Sequence, residues 1–350
     1  MALFDYQGNE QTVTERAVVK SYFAEEVSDT VSKARALQTE PCIIFPLCTD
    51  IHYLSANDSF ERMIDNMRSV SEQVRCDGVA CLGDMTDGDV SQSITTERLH
   101  HMFDRFRELR LPIMFAAGNH DANGYYSTPA EMWFTKEQIA QTQYSSNRND
   151  AVFSDDTQNW YLDIPSKKVR ILSLCSANTL NTSSRYGYPD GTDTFVANAL
   201  NSTPSGYLVI LLEHLSPISS QNWNSTHQFN SSSVLSAINT WLGADSNHQL
   251  ISFMGHSHAD YHFTEPWLNI AVHCQKTEPS ITEDYTVTQE MKDQGKDAGV
   301  VGAKHWHMAL GSVIEDCWDL VVIQLKSQKV NCIRFGAGED REFNFGGAST

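Results

Sequence analysis

Short apolar runs that each stop at an acidic, histidine or asparagine residue recur along the chain, and this repetition constrains the fold most. Pro41 to Cys48 is almost wholly apolar and leads into Thr49-Asp50-Ile51-His52. Val79 to Leu82 leads into Gly83-Asp84-Met85-Thr86-Asp87-Gly88, and Pro112 to Ala117 into Gly118-Asn119-His120-Asp121. Later, Gly206 to Leu212 ends in Glu213-His214, and Gln249 to Met254 in Gly255-His256-Ser257-His258-Ala259-Asp260. Such a run suits a strand covered on both faces. Between the first three runs stand helical patterns, one from Asn57 to Val74 with Phe60, Ile64, Met67 and Val70 on one stripe, the other around Ile94 to Leu109. Asn57 is the expected N-cap of the first. In open α/β sheets the working residues gather at strand ends, so the polar sets are expected along one edge.

The residue types at that edge suit cations and phosphate. An Asp and a His two apart in extended chain point to the same side, so Asp50 and His52 are expected to reach one ion. His256 and His258 repeat that spacing, and Asn119, His120 and His214 complete the set. Oxygen and imidazole donors with no thiolate among them fit two divalent or trivalent transition-metal ions such as Mn, Fe, Zn or Ni. Asp84 is taken as the carboxylate that bridges the two. Two ions about 3.5–4 Å apart form a clamp for in-line attack on phosphorus. Glycine before Asn119 is expected to permit the turn there, and the loop from Gly118 to Asp121 reads as phosphate-hydrolysing.

Taken in order, DIH, GDMTDG, GNHD, a lone His after a strand and GHSH resemble the motif set of the calcineurin-like metallophosphoesterases. The resemblance implies a four-layer αββα fold, two mixed sheets packed as a β-sandwich flanked by helices, with the dimetal centre at one edge. It implies Asp50, His52 and His258 on the first metal, Asp84 as the bridge, and Asn119, His214 and His256 on the second, leaving His120 as the catalytic histidine. A bridging hydroxide would then attack phosphorus while His120 protonates the leaving oxygen. Asp121 is expected to orient His120, and Asp87 to support the metal-binding loop.

Two segments are expected to frame this body. Residues 1–40, with an amphipathic pattern from Thr14 to Leu37, read as an N-terminal helical arm or lid, and residues 41–350 as the phosphoesterase domain. Its C-terminal β-hairpin spans about 318–336, with strands Asp319 to Leu325 and Lys329 to Phe335. A helix is expected from near Pro129 within Tyr125 to Gln143. Ala151 to Ser154, Asn159 to Ile164 and Val169 to Leu174 read as strands of a second sheet, and Ser232 to Leu242 as a helix. The polar loop from Ser176 to Thr194 offers Arg185, Tyr186 and Tyr188 to a substrate pocket, and residues 276–303 read as a mobile excursion.

Net charge of −19 argues against gripping a nucleic-acid backbone. No signal-like N-terminus and no long apolar span appear, and the eight cysteines form no CxxC pair, which suits a cytoplasmic, reducing setting. A phosphate ester is the expected substrate, as monoester or diester. The other class the sequence admits is a virion or cell-surface attachment protein on the same fold, cutting a teichoic-acid-like polymer. Oligomeric state is left open, a larger assembly included.

Overall fold

The computed structural model describes residues 3–4, 10–11, 19–20, 23–53, 59–86, 88, 90–124, 132–146, 150–155, 158–177, 186–222, 229–272, 317–336 and 338–345. A short ribbon of β1 (Leu3–Phe4) and β2 (Glu10–Gln11) comes first. Helix α1 (Ala24–Leu37) follows, then β3 (Cys42–Cys48), α2 (Ser59–Ser71), β4 (Val79–Cys81), α3 (Gln92–Arg107) and β5 (Ile113–Phe115). After α4 (Lys136–Ser146) come β6 (Val152–Phe153), β7 (Trp160–Ile164), β8 (Val169–Ser173), α5 (Thr192–Asn201) and β9 (Leu208–Glu213). The remainder is α6 (Ser231–Ala244), β10 (Gln249–Met254), β11 (Tyr261–Phe263), β12 (Leu268–Ala271), β13 (Trp318–Gln324), β14 (Lys329–Phe335) and β15 (Arg341–Asn344).

These strands form two mixed sheets. One has the order β15-β14-β13-β3-β4-β5, the other β11-β12-β10-β9-β8-β7-β6. In the first, β3, β4 and β5 run parallel while β13, β14 and β15 are antiparallel. In the second, β8, β9, β10 and β12 are parallel and the outer strands reverse. Every residue of β3 and β9 is buried, as their unbroken apolar runs require.

The sheets pack face to face. Phe45 on β3 meets Phe253 on β10 edge to face, with ring centroids 5.9 Å apart. Trp160 Nε1 on β7 and Ser173 Oγ on β8 both donate to the Phe115 carbonyl at the end of β5, at 3.0 and 2.8 Å. The main core continues from the interface to the inner sides of α1, α2 and α3, and a second core under α5 and α6 covers the other face of the seven-stranded sheet. The result is helices, sheet, sheet, helices.

Helix α1 lies against β13 and β14 through Val27, Thr30, Val31 and Ala34. Helix α4 begins at Lys136, seven residues beyond the expected Pro129, which itself lies outside the described residues. A reciprocal cap sets that start: Thr135 N donates to Gln138 Oε1, and Gln138 N to Thr135 Oγ1. Residues 192–194, read as loop from their polarity, form the first turn of α5. Asn57, Asp87, Arg185 and residues 276–303 lie outside the described residues.

Candidate metal centre

The strand ends are stitched to one another before any ligand is considered. Past β3 and β4, the ladder continues as Leu82 N to Cys48 O, Asp50 N to Gly83 O, His52 N to Asp84 O and Tyr53 N to Met85 O, at 2.8–3.0 Å. Ser176 N donates to Ala117 O, and Gly255 N to His214 O, so loops from both sheets meet at one edge.

The turns are made by the candidate ligand residues themselves. Ten non-glycine residues among those described have positive φ, and Asp50, His52, Asp84, His256 and His258 are five of them. Asp50 and His52 are therefore not in the extended chain expected from their spacing. Their side chains converge because each backbone turns left-handed, at φ 51° and 45°. Such conformations cost roughly 1–3 kcal/mol each and persist where the surroundings enforce them.

Three overlapping groups result, each with donor atoms within 4.8 Å of one another: Asp50, His52 and His258; His52, Asp84 and His120; Asp84, His214 and His256. Asp84 is common to two of them. Its Oδ1 accepts the His120 main-chain N–H at 2.8 Å. Its Oδ2 faces His214 Nε2 at 3.0 Å, His120 Nε2 at 3.8 Å and His52 Nε2 at 4.0 Å. Asp50 Oδ1 lies 3.2 Å from His258 Nε2 and 3.9 Å from His214 Nε2. Thr49 Oγ1 donates to Asp50 Oδ2 at 2.7 Å, and His256 N donates to the same carboxylate.

The donor set is buried and polar beyond what the protein alone satisfies. Asn119 is 1% exposed, and neither its Oδ1 nor its Nδ2 has a hydrogen-bond partner. An orphaned buried amide costs about 1–3 kcal/mol. His214 is wholly buried, and its Nδ1 donates to the Leu82 carbonyl at 2.7 Å, which turns Nε2 toward Asp84. Burial disfavours a proton on that ring, but the Asp84 and Asp50 carboxylates override it and push His214 up to about 10. Burial and the His214 charge push His256 down to about 3. For Asp84, burial opposes ionisation and is outweighed by His214 and His120, which hold the carboxyl well below its usual range. Two buried carboxylates, an unpartnered amide and converging imidazoles fit a pair of metal ions.

Two glycines make room for this crowding. Gly118 lies outside the left-handed region, so the turn does not require it; a Cβ there would collide with Asp84 Oδ1 and stand 2.7 Å from Asp84 N and 2.8 Å from His214 Cγ. At Gly255 a Cβ would collide with Thr49 Oγ1 and stand 2.8 Å from Asp50 Oδ2.

Asp121 departs from expectation in its contacts. Instead of addressing the His120 ring, Oδ2 accepts N–H from Gly118 and Asp84 at 2.8 Å and Oδ1 accepts Met85 N–H at 2.9 Å. Burial and the Asp84 charge push its carboxyl up to about 7, against those donors. Tyr188, expected in a substrate pocket, is fully buried and donates to the Leu215 carbonyl. Tyr186 does reach the site, its ring 5.5 Å from that of His256. Residues the sequence did not single out also contribute, chiefly the Thr49 hydroxyl and the Leu82 carbonyl. A Thr directly before a buried Asp was the available signal for the first; a carbonyl carries none.

The sequence model of the calcineurin-like phosphoesterases matches residues 45–266, and the chain belongs to that family. It is a metallophosphoesterase, a phosphoric ester hydrolase whose reaction depends on metal. Among solved structures it is similar to a dimetal phosphatase from Danio rerio, at 12% identity and TM-score 0.57, over 87% of this chain and 99% of that one. It is also similar to GAP50, the anchor in the inner membrane complex of Plasmodium, at 9% identity and TM-score 0.48, over 88% and 90% of the two chains. A purple acid phosphatase from yellow lupin seeds matches at 10% identity and TM-score 0.48, over 87% of this chain and 54% of that one. None of the curated protein sequences matches significantly. Among the described residues no helix is long and apolar enough to cross a membrane.

Proposed function

We propose that the chain hydrolyses a phosphate monoester or diester with two transition-metal ions. Asp50, His52 and His258 would hold one, Asn119, His214 and His256 the other, and Asp84 both. When bound, the ions supply a water-derived nucleophile and neutralise charge developing on phosphorus. His120 is the catalytic acid in this reading: its Nε2 faces Asp84 Oδ2 at 3.8 Å, and its side chain, 15% exposed, is open to solvent where Asp84 is not. Held as an imidazolium beside that carboxylate, it gives its proton to the leaving oxygen. Asp121 is a positioning residue, pinning the main chains of Gly118, Asp84 and Met85 so that the second and third loops keep one spacing.

The observation that carries the proposal is the sharing of Asp84 and His52 between overlapping ligand groups, beside a buried Asn119 amide with no other partner. His120 also belongs to one of those groups. His120→Ala separates the two roles. Retention of both ions with turnover of an aryl phosphate falling about 100- to 10,000-fold fits the acid. Loss of an ion makes His120 a ligand, and unchanged turnover refutes the assignment.

A further inference from the structure

The family match ends at residue 266, yet the loop carrying His258 is tied to strands that come later in the chain. Asp260, two residues past His258, receives Arg334 Nη2 on both carboxylate oxygens, at 2.8 and 2.9 Å, and also Arg341 Nη1. Both arginines turn to a second carboxylate, Asp319. Arg334 Nε lies 3.0 Å from Asp319 Oδ1 as a charge contact without hydrogen-bond alignment, and Arg341 Nη2 donates to Oδ2. Arg334 stands on β14, Asp319 on β13 and Arg341 on β15, all in the six-stranded sheet, whereas Asp260 immediately precedes β11 at the edge of the seven-stranded one.

Two carboxylates and two guanidiniums thus balance in charge across the seam of the sandwich. Arg334 and Asp319 are 2% and 0% exposed at the side chain, and Asp260 is 28%. On its other side the same loop is held by Tyr261, whose hydroxyl donates to the Gln221 carbonyl at 2.8 Å and meets Ser257 Oγ. Between Ser257 and Asp260, each held in this way, His258 sits at φ 48°, a conformation that persists where the surroundings enforce it.

We propose that Arg334, Arg341 and Asp319 are positioning residues for the first metal position, acting through Asp260 on the loop that delivers His258. The inference rests on the two-metal reading. His256 stands closer to the β10 end of the loop, with its N–H on Asp50, and His214 directly follows β9; neither contacts Asp260. Breaking the network therefore acts on one of the two ions.

The test is a Mn²⁺ titration of metal-free protein followed by calorimetry, with elemental analysis after desalting. Asp260→Asn is the first variant, because a partly exposed position tolerates the change, and Arg334→Met the second. Arg170→Met is the control, breaking a part-buried bidentate pair with Asp163 (2.7 and 2.8 Å) elsewhere in the seven-stranded sheet. Wild type and Arg170→Met should bind two ions alike, while Asp260→Asn keeps one tight ion and weakens the other about tenfold or more, the scale of outer supporting residues. Two ions of wild-type affinity in Asp260→Asn and Arg334→Met overturn the inference while leaving the two-metal reading standing. Equal weakening of both ions, or a matching loss in Arg170→Met, also overturns it. Wild type that binds no Mn²⁺ overturns both.

Discussion

Gly118→Ala is the change in which the geometry makes the sharpest demand. An added Cβ would collide with Asp84 Oδ1 and stand 2.7 Å from Asp84 N and 2.8 Å from His214 Cγ, where ordinary contact begins at 3.4 Å, so main chain and imidazole must retreat by roughly 0.6–0.7 Å and the Asp84 carboxylate by more. Overpacking of that kind costs about 1–3 kcal/mol, against a typical stability of about 5–15 kcal/mol, so the variant should fold. Catalysis is less forgiving, since about 1 Å of misplacement costs about 100-fold. The expected outcome is a loss of about ten- to a hundredfold in kcat/KM for an aryl phosphate with saturating Mn²⁺, with urea unfolding showing the modest stability cost. Gly191→Ala is the comparison: φ is 86° there but nothing lies within 4 Å, so it carries backbone strain without a clash at the site. Wild-type kcat/KM in Gly118→Ala, or an equal loss in Gly191→Ala, would refute the reasoning.

Trp160→Phe removes one of the two donors to the buried Phe115 carbonyl and leaves Ser173 Oγ on it, so chemical denaturation should show a loss of about 0.5–1.5 kcal/mol; no loss would mean the indole N–H adds nothing to the joint between the sheets. Burial, opposed by the Gly336 N–H, holds Glu26 above its usual range, so its ionisation favours the unfolded chain as pH rises past 4.5. Glu26→Gln should accordingly be more stable than wild type at pH 7, the gap closing below pH 4.5 in parallel melts; a gap that widens in acid would reverse the sign of that argument.

The strands were legible where burial on both faces left an apolar run with a polar stop. β10 and β14 span Gln249–Met254 and Lys329–Phe335 as read, and β9 differs from its expected bounds by at most two residues. β11, β12 and β15 were not, because they are three or four residues long and β11 and β15 alternate half-buried and exposed positions. Helix α4 starts at Lys136, where the Thr135 and Gln138 pair caps it, a local signal that the reading from Pro129 did not use. At the site the residue types were readable and their geometry was not: spacing suggested an extended Asp50 and His52, whereas left-handed turns bring them together. Asp121 was assigned by adjacency to His120, but three main-chain N–H groups claim its carboxylate, and main-chain donors leave no trace in sequence. The ion network of Asp260, Asp319, Arg334 and Arg341 joins residues up to 81 positions apart, beyond the reach of any local pattern.

The central claim is that one edge of the sandwich holds two ions with Asp84 between them. Anomalous diffraction from crystals grown with Mn²⁺, measured near the Mn absorption edge, tests it most directly. The account predicts two peaks about 3.5–4 Å apart, one among Asp50, His52 and His258 and one among Asn119, His214 and His256, with Asp84 touching both. A single peak, or none at these residues, would contradict it.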